Sequence, residues 1–288
     1  MILLGANGYI GTYCKKYFNK KNIKYYPIGK ETFNGSNPKT LLNIIRDTKS
    51  SFLINCAGYI GKPNVDACEY NKEKCLYSNA VLPGIIQNVC LEAKIPWIHV
   101  STGCIYDGDS GKKNGFTEQD APNFSFRSNN CSFYSGTKAL GEEVINTENG
   151  IYALRLRIPF NDENHPRNYL YKLQNYKKLL NAVNSVTFID DFLKCVDFFI
   201  HNKAPYGVYN TVNTDPVETK EITKLITKHL KIDGFDFFDS YEDFMSKAAI
   251  TPRSNCVLDN SKLSSVGFQM MNSYEAIEQS LKNWSKNV

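Results

Sequence analysis

The residues whose types and spacing could do chemistry stand in the stretch Val100-Ser101-Thr102-Gly103-Cys104-Ile105-Tyr106. A hydroxyl that can steady a carbonyl oxygen is followed two positions later by a thiol that can move a proton. The preceding run, Pro96-Trp97-Ile98-His99-Val100, reads as a buried strand, so Thr102 and Cys104 are expected where a parallel sheet delivers residues to a ligand. A cysteine after a strand is most often a small buried hydrophobe, and only the rest of the chain raises Cys104 above that reading. Phe133-Tyr134-Ser135-Gly136-Thr137-Lys138 opens a helical pattern in which Tyr134 and Lys138, four apart, share one face. An ammonium beside a phenol stabilises the phenolate and lowers its pKa from about 10, so Tyr134 is expected to trade a proton with a substrate oxygen near neutral pH.

Such a pair needs a hydride source, and the amino-terminal stretch has the form of a dinucleotide site. Met1-Ile2-Leu3-Leu4 reads as a strand, runs into Gly5-Ala6-Asn7-Gly8-Tyr9-Ile10-Gly11, and gives way to a helical pattern through about Asn19. Gly5 permits the tight turn, Gly8 the approach of backbone to a pyrophosphate, and Gly11 the close packing of helix on strand. The Gly-x-x-Gly-x-x-Gly spacing resembles that of the extended short-chain dehydrogenase/reductases. A second strand, Lys24–Ile28, ends at Gly29-Lys30, where an acid would hold the ribose hydroxyls of NAD; a cation there instead suits the extra phosphate of NADPH. After a third strand, Ser51–Asn55, the small residues Cys56-Ala57-Gly58 let a ribose pass close to backbone. The loop from Tyr59 to Asp66, with Asn64, is expected to line the substrate mouth. A long helical pattern from Lys72 to Ala93 carries Asn79.

Composition bounds the class. The chain has 288 residues, 42% of them apolar and 22% charged, with a net charge of +5 spread along its length. That is the profile of a soluble α/β unit with an appended lobe, without the basic cluster of a nucleic-acid binder or the run of roughly 20 apolar residues that spans a bilayer. Nine cysteines show neither metal-ligand spacing nor a secretory leader before them, which points to reduced thiols in a cytoplasmic compartment, no metal and no disulfide framework.

Several further pieces belong together. Lys62-Pro63-Asn64-Val65-Asp66-Ala67-Cys68-Glu69, Thr102-Gly103-Cys104-Ile105, the Tyr134 motif, Pro166-Arg167-Asn168 and Pro252-Arg253-Ser254-Asn255 resemble the bifunctional UDP-4-keto-6-deoxyglucose 3,5-epimerase/4-reductases, the carboxy-terminal part of plant rhamnose synthases. The likeness covers nearly the whole chain. It implies that Thr102, Tyr134 and Lys138 serve ketone reduction by NADPH, that Cys104 and Lys172 serve epimerisation, and that Asn64, Asn168, Asn181, Val183 and Arg253 contact a nucleotide sugar. It also implies a homodimer and functional coupling to a UDP-glucose 4,6-dehydratase. Three neighbours stay open. The GDP-fucose synthases pair a similar cysteine with a histidine, for which only His165 is available; dTDP-4-keto-rhamnose reductases reduce without epimerising; the regulatory subunit of methionine adenosyltransferase binds NADP without turnover.

The expected architecture is a doubly wound Rossmann parallel sheet, α/β, with a smaller carboxy-terminal substrate lobe. Residues 1–157 form the NADP-binding domain, to which 186–212 return, and 158–185 with 213–288 form the lobe. Within these, helices are expected over Pro166–Tyr176 and Val217–Leu230, with Asp190 or Asp191 capping a helix that reaches His201, and a terminal helix over Tyr274–Trp284.

Overall fold

The computed structural model describes residues 1–148 and 150–284. Its short apolar runs form one sheet from β1 (Ile2–Leu4), β2 (Tyr26–Ile28), β3 (Leu53–Asn55), β4 (Trp97–Thr102) and β5 (Ile151–Leu156), with Gly207–Asn210 as the strand beyond β5. The order is β2-β1-β3-β4-β5 followed by that edge strand, and every pair is parallel. Strands buried on both faces should be apolar on both, and they are. Leu3, Ile54, Ile98 and Leu154 pack under Cys14, Phe18, Phe192 and Val196 on one side. Ile2, Leu4, Leu53 and Trp97 meet Leu41, Ile45, Ile86 and Val89 on the other.

The winding reverses between β1 and β3. From β1 the chain passes through helix Tyr9–Lys20 to β2, then returns through helix Pro38–Asp47 to β3 on the opposite side of β1. Such a switch opens a crevice beyond the carboxyl ends of the two strands. Its floor depends on Gly5, at φ +69°, where a Cβ would stand 2.5 Å from the Ala57 nitrogen. Beyond β5, Phe160, Leu170, Phe188, Val217, Ile222, Ile277 and Trp284 gather in a separate core. Helix Ile189–His201 and the edge strand come back to the sheet between two stretches of this lobe.

Several expected boundaries move for identifiable reasons. The helical run from Lys72 to Ala93 is three pieces, Lys72–Leu76, a π-helical turn Tyr77–Val81 and Leu82–Ala93. Pro83 has no N–H to offer the Asn79 carbonyl four residues earlier. That carbonyl lies instead against Gly141, where a Cβ would overlap it. The helix expected from Pro166 is Tyr169–Asn175, started by Asn168, whose Oδ1 accepts from Leu170 N at 3.1 Å. Val217–Glu218 pairs with Val183–Asn184 before helix Thr219–Leu230 begins. Neither Asp190 nor Asp191 caps helix Ile189–His201; Asp191 receives Met271 N and Asn213 Nδ2 instead. Helix Tyr241–Ala248, capped by Ser240, was not expected; Tyr241, Phe244, Met245 and Ala248 share one face of it, but none of them is buried.

Candidate active site

The crevice has the features an anionic dinucleotide needs. Helix Tyr9–Lys20 begins at Gly8 with no side-chain cap and no acid in its first turn, so no side chain claims the N–H groups at the positive end of its dipole. A Cβ on Gly8 would meet only the Gly5 carbonyl, at 3.2 Å, whereas one on Gly11 would overlap that carbonyl and force helix and loop apart. Asn7 is exposed and accepts from Lys15 Nζ at 3.1 Å, Ile10 is half-buried, and Tyr9 stacks on His165 with ring centroids 4.6 Å apart. Cys56 and Ala57, half-buried, and exposed Gly58 follow β3 across the crevice. At the end of β2 Lys30 is exposed. The same turn holds an acid that the sequence reading passed over. The Glu31 carboxylate folds back over Gly29 into the space a side chain there would take.

At the end of β4 the reductive residues converge. Thr102 is buried, its Oγ1 accepts from Cys104 N at 3.1 Å, and its hydroxyl is close enough to the Tyr134 phenol to favour the phenolate. Tyr134 stands in the first turn of helix Phe133–Val144, which Ser132 caps by accepting from Ser135 N at 3.1 Å. Lys138, one turn on, is buried and donates to the Val100 carbonyl at 3.3 Å. Here the structure corrects an expectation. Burial dominates both groups, pushing the Tyr134 phenol well up, with the Cys104 charge adding and only Thr102 opposing. The same burial pulls Lys138 down to about 8 against the opposing charge of Glu142. Tyr134 is therefore held as a neutral phenol, a proton donor, rather than poised as a phenolate.

Two braces hold this arrangement. Glu142 takes a buried ion pair from Arg155 at 2.6 Å and a hydrogen bond from Ser101 Oγ at 2.5 Å, tying the helix to β4 and β5. Asn79 accepts from Tyr59 N at 2.8 Å and donates to Tyr59 O at 2.8 Å and Thr137 Oγ1 at 3.1 Å. It thus fixes the loop beyond β3 to the helix that carries Tyr134.

Cys104 is half-buried beside these groups, and its nearest charged partner was not expected. Arg157, just past β5, donates from Nη1 to Cys104 Sγ at 2.9 Å. Lys172, half-buried, is close enough for the Cys104 sulfur to act on it, while burial and the Arg167 charge hold its ammonium below the usual lysine range. His165, by contrast, faces Tyr9. One signal for Arg157 was present: Leu154-Arg155-Leu156-Arg157 carries two arginines at the end of an apolar strand, and buried charges require partners.

The residues expected to touch substrate behave unequally. Arg253 pairs with Asp66 at 2.7 Å and donates to the Thr251 carbonyl at 2.7 Å, joining the carboxy-terminal loop to the one that follows β3. Asn64 is half-buried in that second loop and accepts from Asp66 N at 2.9 Å. Asn181 donates to Glu218 at 2.6 Å, and Val183, on the adjoining short strand, is exposed. Asn168 does not present a free amide: it is fully buried, donating to Asn161 and the Glu163 carbonyl and accepting from Leu170 N. Its role in this structure is to shape its own loop.

Comparison with known proteins places the chain. The model of the RmlD substrate binding domain matches residues 1–286. The bifunctional dTDP-4-dehydrorhamnose 3,5-epimerase/dTDP-4-dehydrorhamnose reductase of Arabidopsis thaliana is 30% identical over 284 residues, 96% of this chain and 90% of the relative. The trifunctional UDP-glucose 4,6-dehydratase/UDP-4-keto-6-deoxy-D-glucose 3,5-epimerase/UDP-4-keto-L-rhamnose-reductase RHM3 of the same plant is 32% identical over 269 residues, 91% of this chain. The match spans only 39% of that relative's length. In fold, the chain resembles the L780 UDP-rhamnose synthase of Acanthamoeba polyphaga mimivirus, with a TM-score of 0.89, 22% identity and 98% of each chain covered. A glycine loop at the switch point, a Thr-Tyr-Lys set beyond β4 and a family match from end to end agree: the chain belongs to the RmlD substrate binding domain family.

Proposed function

We propose that this protein is an NADPH-dependent nucleotide-sugar 4-ketoreductase that also epimerises its substrate, taking UDP-4-keto-6-deoxy-D-glucose through 3,5-epimerisation and 4-keto reduction to UDP-L-rhamnose. The observation that carries this reading is the convergence of a proton-bearing phenol, a hydroxyl and a thiol at one strand end. Tyr134 lies close enough to Thr102 and Cys104 for both to act on its phenol, and Thr102 Oγ1 accepts from Cys104 N at 3.1 Å. On this reading residues 1–157 with 186–212 hold the dinucleotide, its pyrophosphate at the Gly8 end of helix Tyr9–Lys20, and 158–185 with 213–288 hold the sugar nucleotide.

The protons on carbons 3 and 5 of the substrate are acidic because each carbon adjoins the carbon-4 ketone. Cys104 takes such a proton as a thiolate, leaving a thiol and an enolate whose oxygen accepts hydrogen bonds from Thr102 and Tyr134. Lys172 gives a proton to the opposite face, and the centre inverts. Bound NADPH supplies hydride to carbon 4. Tyr134 gives its phenolic proton to the oxygen, and the Lys138 ammonium stabilises the phenolate left behind.

Incubation with UDP-4-keto-6-deoxyglucose and NADPH in deuterated water tests the whole proposal. UDP-L-rhamnose with deuterium at carbons 3 and 5 is expected. An unepimerised 6-deoxy sugar without solvent deuterium there would leave a reductase alone, and turnover only of the GDP-linked ketone would move the protein to the GDP-fucose synthase reading.

The assembly belongs to the same proposal. Val81, Leu91 and Val144 are 42%, 48% and 47% exposed on or beside the helices Leu82–Ala93 and Phe133–Val144, which we take as the faces of a two-fold interface. A monomeric mass by light scattering at micromolar concentration would reject the dimer. The trifunctional relative RHM3 is also a UDP-glucose 4,6-dehydratase, so a dehydratase of that kind is the expected source of substrate. All nine cysteines are unpaired, which suits a reducing, cytoplasmic compartment.

A further inference from the structure

We infer that Arg157 is the positioning residue of the epimerisation half-reaction: a buried cation, fixed from three directions, that keeps the Cys104 sulfur aimed and in its anionic, proton-accepting form. The inference rests on the assignment of Cys104 as the carbon acid's base. Arg157 is 3% exposed, and its Nη1 donates to Cys104 Sγ at 2.9 Å. Its Nη2 donates to Asn184 Oδ1 at 2.6 Å and to the Ser254 carbonyl at 2.5 Å. Arg157 N is held by Thr187 Oγ1 at 3.0 Å. These anchors come from different segments, and Ser254 belongs to the Pro252-Arg253-Ser254-Asn255 motif. That motif thus holds the guanidinium in place as well as pairing Arg253 with Asp66.

The geometry is specific to this function in two ways. Among the described residues no carboxylate pairs with this guanidinium, which has neutral anchors on one side and a sulfur on the other; the second buried arginine, Arg155, has Glu142. A buried cation without an anionic partner is costly, and the thiolate is the one group in its hydrogen-bonding reach that can become that partner. A charge-assisted bond is also stronger than a neutral one, so the contact favours sulfur without its proton. The backbone then turns immediately. Ile158, next in sequence, sits at φ +40°, a conformation a β-branched residue adopts only where its surroundings enforce it. The strain falls at the residue that redirects the chain out of the sheet just past the arginine.

Other titratable groups face the same sulfur. Tyr134 and Lys138 come from helix Phe133–Val144, Lys172 from helix Tyr169–Asn175 and Cys256 from the carboxy-terminal loop. The two lysines are cations whose charge burial weakens, and Tyr134 and Cys256 are held protonated by burial. Arg157 is the one whose charge is permanent across the working pH range.

The test reads the thiol itself, without substrate. Alkylation of Cys104 by neutral iodoacetamide is followed against pH by peptide mass spectrometry in the native protein, in Arg157→Gln, which can still satisfy Asn184, and in Arg157→Lys, which keeps the charge. Arg157→Gln is expected to slow alkylation at neutral pH about tenfold and to move its profile up by about one pH unit, and Arg157→Lys to restore much of it. Should neither variant fold, Asn184→Ala, which removes one anchor of the guanidinium, is expected to slow the same alkylation, and the thiolate's ultraviolet absorbance in the native protein, lost in Cys104→Ala, reads the anionic form directly. Superimposable profiles for native and Arg157→Gln, or no thiolate absorbance from Cys104 at neutral pH, would overturn the inference. Deuterium exchange separates it from the functional reading. If the alkylation profile moves while the native protein exchanges no deuterium into the ketone, Arg157 tunes the thiol as inferred and it is the epimerase assignment that fails.

Discussion

The two halves of the site are built in opposite ways. The reductive half is local: Thr102 ends one strand, Tyr134 and Lys138 lie one turn apart on one helix, and a single buried pair, Arg155 with Glu142, ties that helix to the sheet. The half around Cys104 is assembled from distant segments, with Arg157 past β5, Lys172 on a lobe helix, Asn184 on a short strand and Ser254 in the last loop. A local site survives as long as one helix packs; a dispersed one needs both lobes docked. The reductive chemistry should therefore be the more robust, and the two should fail separately.

The largest expected effects test that separation. Tyr134→Phe removes the phenol that protonates the ketone oxygen, and reduction should fall by about 10²–10⁴-fold, while solvent exchange at carbons 3 and 5 falls much less because Thr102 still donates to the enolate oxygen. Cys104→Ala should do the reverse. Exchange should drop by a similar factor, whereas UDP-4-keto-rhamnose supplied already epimerised is still reduced. Mass spectrometry of products formed in deuterated water reads both at once. Loss of reduction of the pre-epimerised ketone in Cys104→Ala, or equal loss of exchange and reduction in Tyr134→Phe, would mean that the halves are not separable and the comparison is wrong.

The same contrast explains what was legible in the sequence. Period and spacing give away anything built within one turn or one strand, so the glycine loop, the end of β4 and the Tyr134–Lys138 face could all be read directly. Lys172 entered only through resemblance, and Arg157 did not enter at all, because nothing local tells an arginine after β5 that its partner lies 53 residues earlier. Asn168 shows the converse error. A polar residue in a motif invites reading as a ligand contact, and its amide is spent on capping and loop closure. The π-helical turn was hidden because Pro83 near the start of a helix is compatible with an unbroken one.

A smaller effect, about tenfold per pH unit, should distinguish the halves without mutation. Burial depresses Lys138 from 10.5 to about 8. The ammonium that stabilises the Tyr134 phenolate is thus present below about pH 8 and is lost as pH rises through it, so the reductive rate should decline on that limb. Stability should move the other way. Between about 8 and 10.5 the unfolded chain holds the proton that the folded one has released, so the folded state gains stability as pH rises across that window. A pH profile of NADPH oxidation with pre-epimerised ketone checks the first statement, and thermal unfolding against pH checks the second. A reductive rate that is flat from pH 7 to 9 would show that the Lys138 charge is not needed.

The smallest expected effect concerns the β2 end, where the sequence suggested one charge and the structure shows two. Lys30 is exposed and free to reach a 2′-phosphate, while the Glu31 carboxylate lies over Gly29, where an acid could instead accept from ribose hydroxyls. The opposing charges should compromise one another, giving a preference for NADPH that is real but modest. Lys30→Ala should lower the catalytic efficiency with NADPH about tenfold through the lost charge-assisted contact and leave NADH nearly unaffected. Glu31→Ala removes a carboxylate that would repel the phosphate, so it should sharpen the preference by roughly threefold to tenfold, chiefly through KM. Both changes sit at the far end of the crevice from Cys104, so neither should alter deuterium exchange into the ketone. A drop in NADPH efficiency on removal of Glu31 would show that the carboxylate holds the cofactor rather than opposing its phosphate, and would turn the expected preference toward NADH.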